Sequence, residues 1–165
     1  MTEPIVSGVA PEEADDELRA KLERATGLVG DLGEGEDAFN PYGAYARRPE
    51  VFEALMNYNE AALRGENSLI DPHIKELMRL KSAEINRCTY CGTLRVQDVR
   101  DEVEPLEQQV LGEFSGEELT RREALAVKFA EKMGSDPHQI SDEFYTELKK
   151  EFTKDEIVEL VFTEY

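Results

Sequence analysis

The sequence predicts an all-α protein, a single bundle of six or seven helices. Two observations carry this prediction: apolar residues recur at the spacing of one helix face along most of the chain, and helix start signals precede several of these stretches. No stretch has the apolar–polar alternation of a strand, and no internal repeat is present. With 165 residues, of which 40% are apolar, the chain is long enough to bury one core.

Glycine and proline residues divide the first part of the chain. A helix is expected over residues 11–30, and its apolar stripe comprises Leu18, Leu22, Ala25 and Val29. Glycines at positions 30, 33 and 35 end this helix, and residues 33–48 are expected to form a loop. Pro49 suits the first turn of a helix that we predict over Glu50–Arg64.

Two helices are predicted in the middle of the chain. Asp71, followed by a proline, is typical of a helix start, because aspartate caps free N–H groups and proline fits the first turn. This helix is expected over residues 72–87. A further helix is expected over residues 89–103, and Pro105 then stops or bends it.

Capping signals predict the last three helices. A Thr120–Glu123 capping box starts a helix that ends near residue 133, and Ser141 caps a short helix that ends near Phe152. A second capping box, Thr153–Glu156, starts the last helix. The apolar residues that we expect this last helix to bury are Ile157, Leu160 and Val161. Its end has no capping residue, so either the native chain continues or another subunit covers this end.

The charge of the chain excludes several classes of partner. Lysine and arginine number 19 and aspartate and glutamate 37, which gives a net charge of −18. Phosphate binding needs clustered basic side chains, so neither a nucleic acid nor an anionic membrane surface is an expected partner. The sequence has no run of about 18 apolar residues and no basic and apolar leader at its N-terminus. We therefore expect a cytoplasmic protein.

Cys88 and Cys91 are the candidate reactive groups, and they are the two cysteines of the chain. A thiol reacts as the thiolate, which a helix N-terminus stabilises because free backbone N–H groups favour negative charge. In the first turn of a helix, side chains three residues apart meet, so this pair could form a reversible disulfide. Arg95, four residues after Cys91, would lie on the same face and could stabilise a thiolate. The alternative is that both cysteines are small buried core residues.

A metal site is not expected around these cysteines. Zinc usually has four protein ligands, and only His73 and His138 remain as donors. They lie 15 residues before Cys88 and 47 residues after Cys91, which matches no finger-like spacing. The sequence has no glycine-rich phosphate loop, so we expect no bound organic cofactor. It also has no βαβ pattern around the cysteines, which argues against a thioredoxin-like domain.

The segment around the cysteines resembles a known family. Glu76, eleven intervening residues and Cys88-Thr89-Tyr90-Cys91, in an all-helical chain, are similar to the alkylhydroperoxidase D-like, carboxymuconolactone decarboxylase family. Pro49-Glu50-Val51-Phe52 and the helix after it suit the same family. The resemblance implies a carboxymuconolactone decarboxylase-like helical domain over residues 40–165, with residues 1–39 as an N-terminal extension that carries one amphipathic helix.

The resemblance also implies roles in catalysis. Glu76 would be the proton-relay carboxylate, Cys91 the thiol that reacts with peroxide through a sulfenic acid, and Cys88 its resolving partner. Helix electrostatics alone favour Cys88, the more N-terminal thiol, as the nucleophile. Thiolate oxidation to a sulfenic acid and then to a disulfide is reversible with either order.

Three further residues bear on the same site. Arg95 stands where the family usually has a relay histidine, and arginine can stabilise a thiolate but cannot shuttle a proton near neutral pH. Glu76 through a water, or the nearby Glu84, could replace the missing proton acceptor. The Tyr90 hydroxyl could donate a hydrogen bond to a peroxide.

Three functions are compatible with these residues. The first is an antioxidant enzyme, a thiol-dependent peroxidase or disulfide oxidoreductase that acts on a small hydroperoxide or disulfide and is regenerated by an unidentified thiol reductant. The second is a non-catalytic redox sensor or interaction protein on the same scaffold, favoured by Arg95 in place of histidine. The third is a carboxymuconolactone decarboxylase, which is expected to work without the dithiol. The resemblance further implies a homo-oligomer, either a trimer or a hexamer.

Overall fold

The computed structural model of the chain describes residues 6–9, 13–29, 41–64, 68–112 and 117–164. Within these ranges no strand occurs, so the predicted all-α class is confirmed. The chain divides into two compact units, Met1–Glu60 and Ala61–Tyr165. The domain boundary predicted between residues 39 and 40 lies outside the described residues. None of the helices in the described ranges is both long and apolar enough to cross a membrane.

The first unit begins with α1 (Asp16–Val29). This helix starts later than residue 11, because the Asp15 carboxylate accepts a hydrogen bond from the Leu18 amide at 2.8 Å and caps the helix there. The unit continues with α2 (Pro41–Tyr45) and α3 (Pro49–Asn59).

The short helix α2 lies where a loop was expected, and residues 33–40 of that loop lie outside the described residues. Its Tyr42 ring packs against the fully buried Phe52 of α3, with ring centroids 6.1 Å apart. A tertiary contact of this kind stabilises a helix that is too short to show a periodic pattern. The predicted helix over Glu50–Arg64 forms as α3 followed by a π-helical turn, Glu60–Arg64.

The second unit is built around α4 (Pro72–Ile85), which packs most extensively against α8 (Arg121–Ser135). The other helices of this unit are α5 (Thr89–Thr93), α6 (Arg100–Val103), α7 (Glu107–Val110), α8 (Arg121–Ser135), α9 (Asp142–Glu151) and α10 (Lys154–Glu164). Single 3₁₀ turns occupy Gln97–Val99, Glu104–Leu106 and Pro137–Gln139.

The predicted starts of the last three helices are confirmed. Both reciprocal bonds of the capping box join Thr120 and Glu123 at the start of α8. The Ser141 hydroxyl oxygen accepts a hydrogen bond from the amide three residues later, at 3.3 Å. The Thr153 amide donates to Glu156 Oε2 at 2.7 Å, and the Glu156 amide donates back to Thr153 Oγ1 at 3.3 Å. Asp71, in contrast, makes no side-chain cap bond at the start of α4.

The core of the second unit consists of two apolar clusters on different sides of α4. The buried residues of the first are Ile70, Ile74, Met78, Ala126, Phe129, Ala130, Leu148, Phe152 and Leu160. Those of the second are Leu77, Leu80, Val99, Val103, Val110, Leu119 and Val127. As expected for the last helix, Leu160 is fully buried, and Ile157 and Val161 pack against the first cluster.

Because α4 is covered on several sides, it also buries charged side chains. Lys75, Glu76 and Lys81 are each less than 5% exposed. A buried charge is strongly destabilising unless it is paired and hydrogen-bonded. Each of the three has such partners, and those of Glu76 belong to the candidate site.

Candidate dithiol site

The candidate site lies where α4 ends and α5 begins. The Arg87 amide donates to the Glu84 carbonyl oxygen and the Cys88 amide to that of Ala83, both at 2.9 Å. These are the two bonds of a Schellman motif, in which the residue after the cap adopts the left-handed conformation. Here that residue is Arg87, with φ of 52°. The motif turns the chain sharply after Asn86 and fixes the backbone of Cys88, as the predicted junction before a new helix requires.

Cys88 and Cys91 are joined by a disulfide, and their Cα atoms lie 5.3 Å apart. Cys88 is the N-cap of α5, and Cys91 lies in its first turn. The Cys91 amide donates a hydrogen bond to Cys88 Sγ at 3.2 Å. Both cysteines are half-buried, so they are neither enclosed in the core nor fully exposed. The alternative that both cysteines are small buried core residues is therefore wrong.

The carboxylate of Glu76 is held by the side chain of Arg79, one turn later on α4. Arg79 Nε donates to Oε2 at 2.7 Å and Nη2 to Oε1 at 2.8 Å, and the Val96 amide donates to Oε1 at 3.3 Å. Within the described part of the chain, these groups are the hydrogen-bond partners of Glu76. The Glu76 carboxylate is thus paired with a guanidinium rather than with a sulfur atom.

The same guanidinium continues to the backbone of the dithiol. Arg79 Nη1 donates to the carbonyl oxygen of Cys91, and Nη2 donates to that of Leu94 at 2.8 Å. Arg79 therefore connects the buried carboxylate of α4 to the C-terminal end of α5. Sequence reasoning missed this residue, although an arginine three residues after Glu76 on a predicted helix has the spacing of an ion pair.

The helix after the cysteines is much shorter than expected. We predicted it over residues 89–103, but α5 ends at Thr93 and the backbone of Leu94 is extended. The prediction that Arg95 shares a helix face with Cys91 is therefore wrong, because no helix continues as far as Arg95.

Arg95 instead forms an ion pair with α7. Its Nε donates to Glu107 Oε1, and its Nη2 lies 3.0 Å from Glu107 Oε2. Its Nη1 donates to the carbonyl oxygens of Gly92 and Leu94, both at 2.6 Å. Two arginine–glutamate pairs thus hold the carbonyl groups at the end of α5. Both members of the first pair lie on α4, and the second joins Arg95, which follows α5, to Glu107 of α7.

Two other candidates lie in different surroundings. Tyr90, between the cysteines, is half-buried, and its hydroxyl oxygen is enclosed. Glu84 accepts hydrogen bonds from Lys81 and from the Gly112 amide. Burial opposes ionisation of Glu84, but these two bonds outweigh it and hold the pKa of the carboxyl below its usual value. The Glu84 carboxylate therefore binds the backbone of the segment after α7.

The histidines lie apart from the cysteines. His73 Nε2 is 2.9 Å from Glu123 Oε1, and its Nδ1 is 3.7 Å from Glu102 Oε2. His138 is exposed in a 3₁₀ turn. Among the residues that the structure describes, no three His, Cys, Asp or Glu side chains are grouped as metal ligands would be.

No protein-family model matches this sequence, and no curated protein matches it either. The fold is nevertheless similar to that of a solved structure, the alkylhydroperoxidase AhpD core of an uncharacterized peroxidase-related protein from Ralstonia eutropha JMP134. The two agree with a TM-score of 0.74 and 18% sequence identity, over 99% of this chain and 85% of that chain. At this identity the likeness concerns the fold, and it confirms the AhpD-like all-α architecture that the residues around the cysteines predicted.

Proposed function

We propose that this chain is a thiol-dependent peroxidase, an oxidoreductase that cycles Cys88 and Cys91 between dithiol and disulfide. The observation that carries the proposal is the disulfide at the start of α5, in a turn whose backbone is fixed on both sides. The AhpD-like fold supports it, because a solved structure with this fold is described as peroxidase-related.

The proposed cycle has three steps. One thiolate attacks a hydroperoxide, ROOH, so that an S–O bond forms, the O–O bond breaks, and ROH leaves after taking a proton. The second thiol attacks the resulting sulfenic acid, which forms the S–S bond and releases water. A thiol reductant then returns two electrons and two protons through a mixed disulfide. We assign this cycle to the cytoplasm, where thiol reductants keep such pairs reduced.

The order of the two thiols is part of the proposal. A hydrogen bond to sulfur favours the thiolate, and the Cys91 amide donates such a bond to Cys88 Sγ. This supports Cys88 as the attacking thiol, whereas the family resemblance implies Cys91. The two single serine variants distinguish the two orders, since the attacking cysteine forms a trappable sulfenic acid in the absence of its partner.

A second candidate function, a redox sensor, is favoured by the contacts of Arg95 and Glu76. Arg95 is paired with Glu107 and Glu76 with Arg79, so neither side chain is bonded to a sulfur. A pair whose sulfurs receive no help from these two side chains would react slowly with hydroperoxide and would not support rapid turnover. A sensor of this kind changes its thiol state without turnover.

The test is hydroperoxide consumption by the reduced protein with dithiothreitol as reductant. We expect repeated turnover, and a loss of at least about a hundredfold in Cys88→Ser and Cys91→Ser, because the thiolate is the nucleophile. Thr89→Ser, at an exposed position between the cysteines, is the matched control and keeps its activity. Slow formation of the disulfide without rapid turnover assigns the sensor function instead. Thiol oxidation no faster than that of free cysteine overturns both.

A further inference from the structure

We propose that Arg79 is a positioning residue for the dithiol. It holds the backbone of Cys91 against the buried Glu76, and it thereby keeps the two thiols at closing distance in the reduced protein. This inference rests on the proposed function, since it concerns the control of the same cysteine pair.

The buried carboxylate fixes the orientation of Arg79. Glu76 is 4% exposed, and both of its oxygens accept hydrogen bonds from the guanidinium, one from Nε and one from Nη2. Because a guanidinium is planar and rigid, a two-point contact sets the direction of its remaining N–H groups. Those groups reach the carbonyl oxygens of Cys91 and Leu94.

Helix α5 depends on contacts of this kind. It has five residues, which is too short for a stable helix on its own. In the oxidised protein the disulfide also restrains it, but reduction removes that cross-link and leaves the hydrogen bonds. The position of Cys91 relative to Cys88 is then maintained by the donors that hold the end of α5, and Arg79 is the donor that reaches Cys91 itself.

Preorganisation of this kind favours the disulfide. If the reduced turn is already ordered, closing the S–S bond costs less conformational entropy than in a mobile turn. Removal of Arg79 should therefore make the disulfide easier to reduce and its formation slower. Glu76 acts through Arg79 in this arrangement, as a positioning residue and not as a proton acceptor at sulfur.

The equilibrium test uses dithiothreitol and no hydroperoxide. The Cys88–Cys91 disulfide and the dithiol exchange to give two protein thiols and cyclic oxidised dithiothreitol, and the equilibrium constant is read from the thiol state. For Arg79→Met we expect disulfide formation to be about tenfold less favoured, which for a two-electron couple is a potential about 30 mV less negative. Arg79→Lys keeps the charge without the planar fork and should give a smaller shift in the same direction. Arg100→Met, which removes an exposed arginine paired with Glu104, is the matched control and should stay within about twofold of the wild type.

Two further measurements separate positioning from a general structural defect. Glu76→Gln should shift the equilibrium in the same direction as Arg79→Met, and the double variant should shift it no further, because the two residues act as a unit. With hydroperoxide present, the sulfenic acid of Arg79→Met should persist longer before the disulfide closes. If Arg79→Met fails to fold, Arg79→Lys decides.

Three outcomes overturn the proposal: an equilibrium for Arg79→Met within about twofold of the wild type (or no shift in Arg79→Lys, if Arg79→Met does not fold), an equal shift in Arg100→Met, or additive effects of Glu76→Gln and Arg79→Met. This equilibrium involves no hydroperoxide, so it can be measured even if the protein is not a peroxidase. Failure of the proposed function and failure of the role of Arg79 are therefore distinguishable.

Discussion

The Ser82 hydroxyl lies within hydrogen-bond distance of two oxygens, although it has one proton to donate. The Met78 carbonyl oxygen is 3.1 Å away, and Oε2 of Glu164 is the second partner. Both contacts are satisfied if Ser82 donates to Met78 and a protonated Glu164 donates to Ser82. The other oxygen of Glu164 is buried, with no hydrogen-bond partner among the described residues, which also favours the neutral form. Burial raises the pKa of this carboxyl from 4.5 to about 7, which outweighs the opposing effect of a hydrogen bond that Ser82 would donate to the ionised form.

This carboxyl makes the stability of the fold depend on pH. Between pH 4.5 and about 7 the folded protein holds a proton on Glu164 that the unfolded chain has lost. The contribution to stability is complete below pH 4.5 and is lost as the pH rises to about 7. At about 1.4 kcal/mol per pH unit, the loss is at most about 3–4 kcal/mol.

We therefore expect Glu164→Gln, which is neutral at every pH, to be more stable than the wild type above neutral pH and close to it near pH 5. Urea denaturation across about pH 5–8 measures the difference, which should be at most about 3–4 kcal/mol at the upper end of this range. Glu117→Gln, at an exposed position, controls for the loss of one negative charge. A difference between Glu164→Gln and the wild type that stays constant over this range would contradict the protonated carboxyl.

At the scale of elements, a buried lysine of α4 holds the end of α7. Lys81 Nζ donates to the carbonyl oxygens of Val110 and Gly112, both at 3.2 Å, and lies 2.9 Å from Glu84 Oε2. Its side chain is 4% exposed. The short helix α7 thus has its C-terminal carbonyl groups satisfied by a side chain from a distant helix.

Lys81→Met should lower the free energy of unfolding by about 3 kcal/mol, because two carbonyl oxygens and a carboxylate lose their buried donor. Lys150→Met is the matched control: that side chain is 56% exposed and pairs with Glu147, so its removal should cost less than about 1 kcal/mol. Chemical denaturation of both variants gives the two values. Equal losses would show that burial of Lys81 does not strengthen its contacts.

The elements that the sequence predicted well are those whose contacts are local. Thr120 and Glu123, which cap α8, are only three residues apart, so the capping box can be predicted from the sequence alone. The end of α5 is different, since Arg79 reaches Cys91 and Leu94 across 12 and 15 residues. Spacing could indicate the cysteines and Glu76 as candidates, and Arg79 as an ion-pair partner of Glu76. It could not reveal that the Arg79 guanidinium also reaches the backbone of Cys91 and Leu94.

At the scale of the whole molecule, the net negative charge opposes self-association, whereas exposed apolar surface favours it. Two copies with a net charge of −18 each repel, and at about 0.1 M salt this repulsion is largely screened beyond about 10 Å. The second unit exposes an apolar patch made of Leu69, Val158 and Phe162, which are 52%, 54% and 49% exposed. Val158 and Phe162 are four residues apart on α10, so they share a face. Leu69 lies next to the same helix, because its amide donates to Glu159 of α10 at 2.9 Å.

We propose that this patch is the contact between copies of the chain in the trimer or hexamer that the family resemblance implies. Burial of apolar surface would then drive association while charge weakens it, so the assembled fraction should rise with salt concentration. Sedimentation velocity at low and high salt measures that fraction. The double variant Val158→Ser, Phe162→Ser should shift the protein to smaller species, whereas Val51→Ser, at a valine that is 57% exposed in the first unit, should not. A wild type that stays monomeric at every salt concentration, or that dissociates as salt is added, would rule out an apolar interface at this patch.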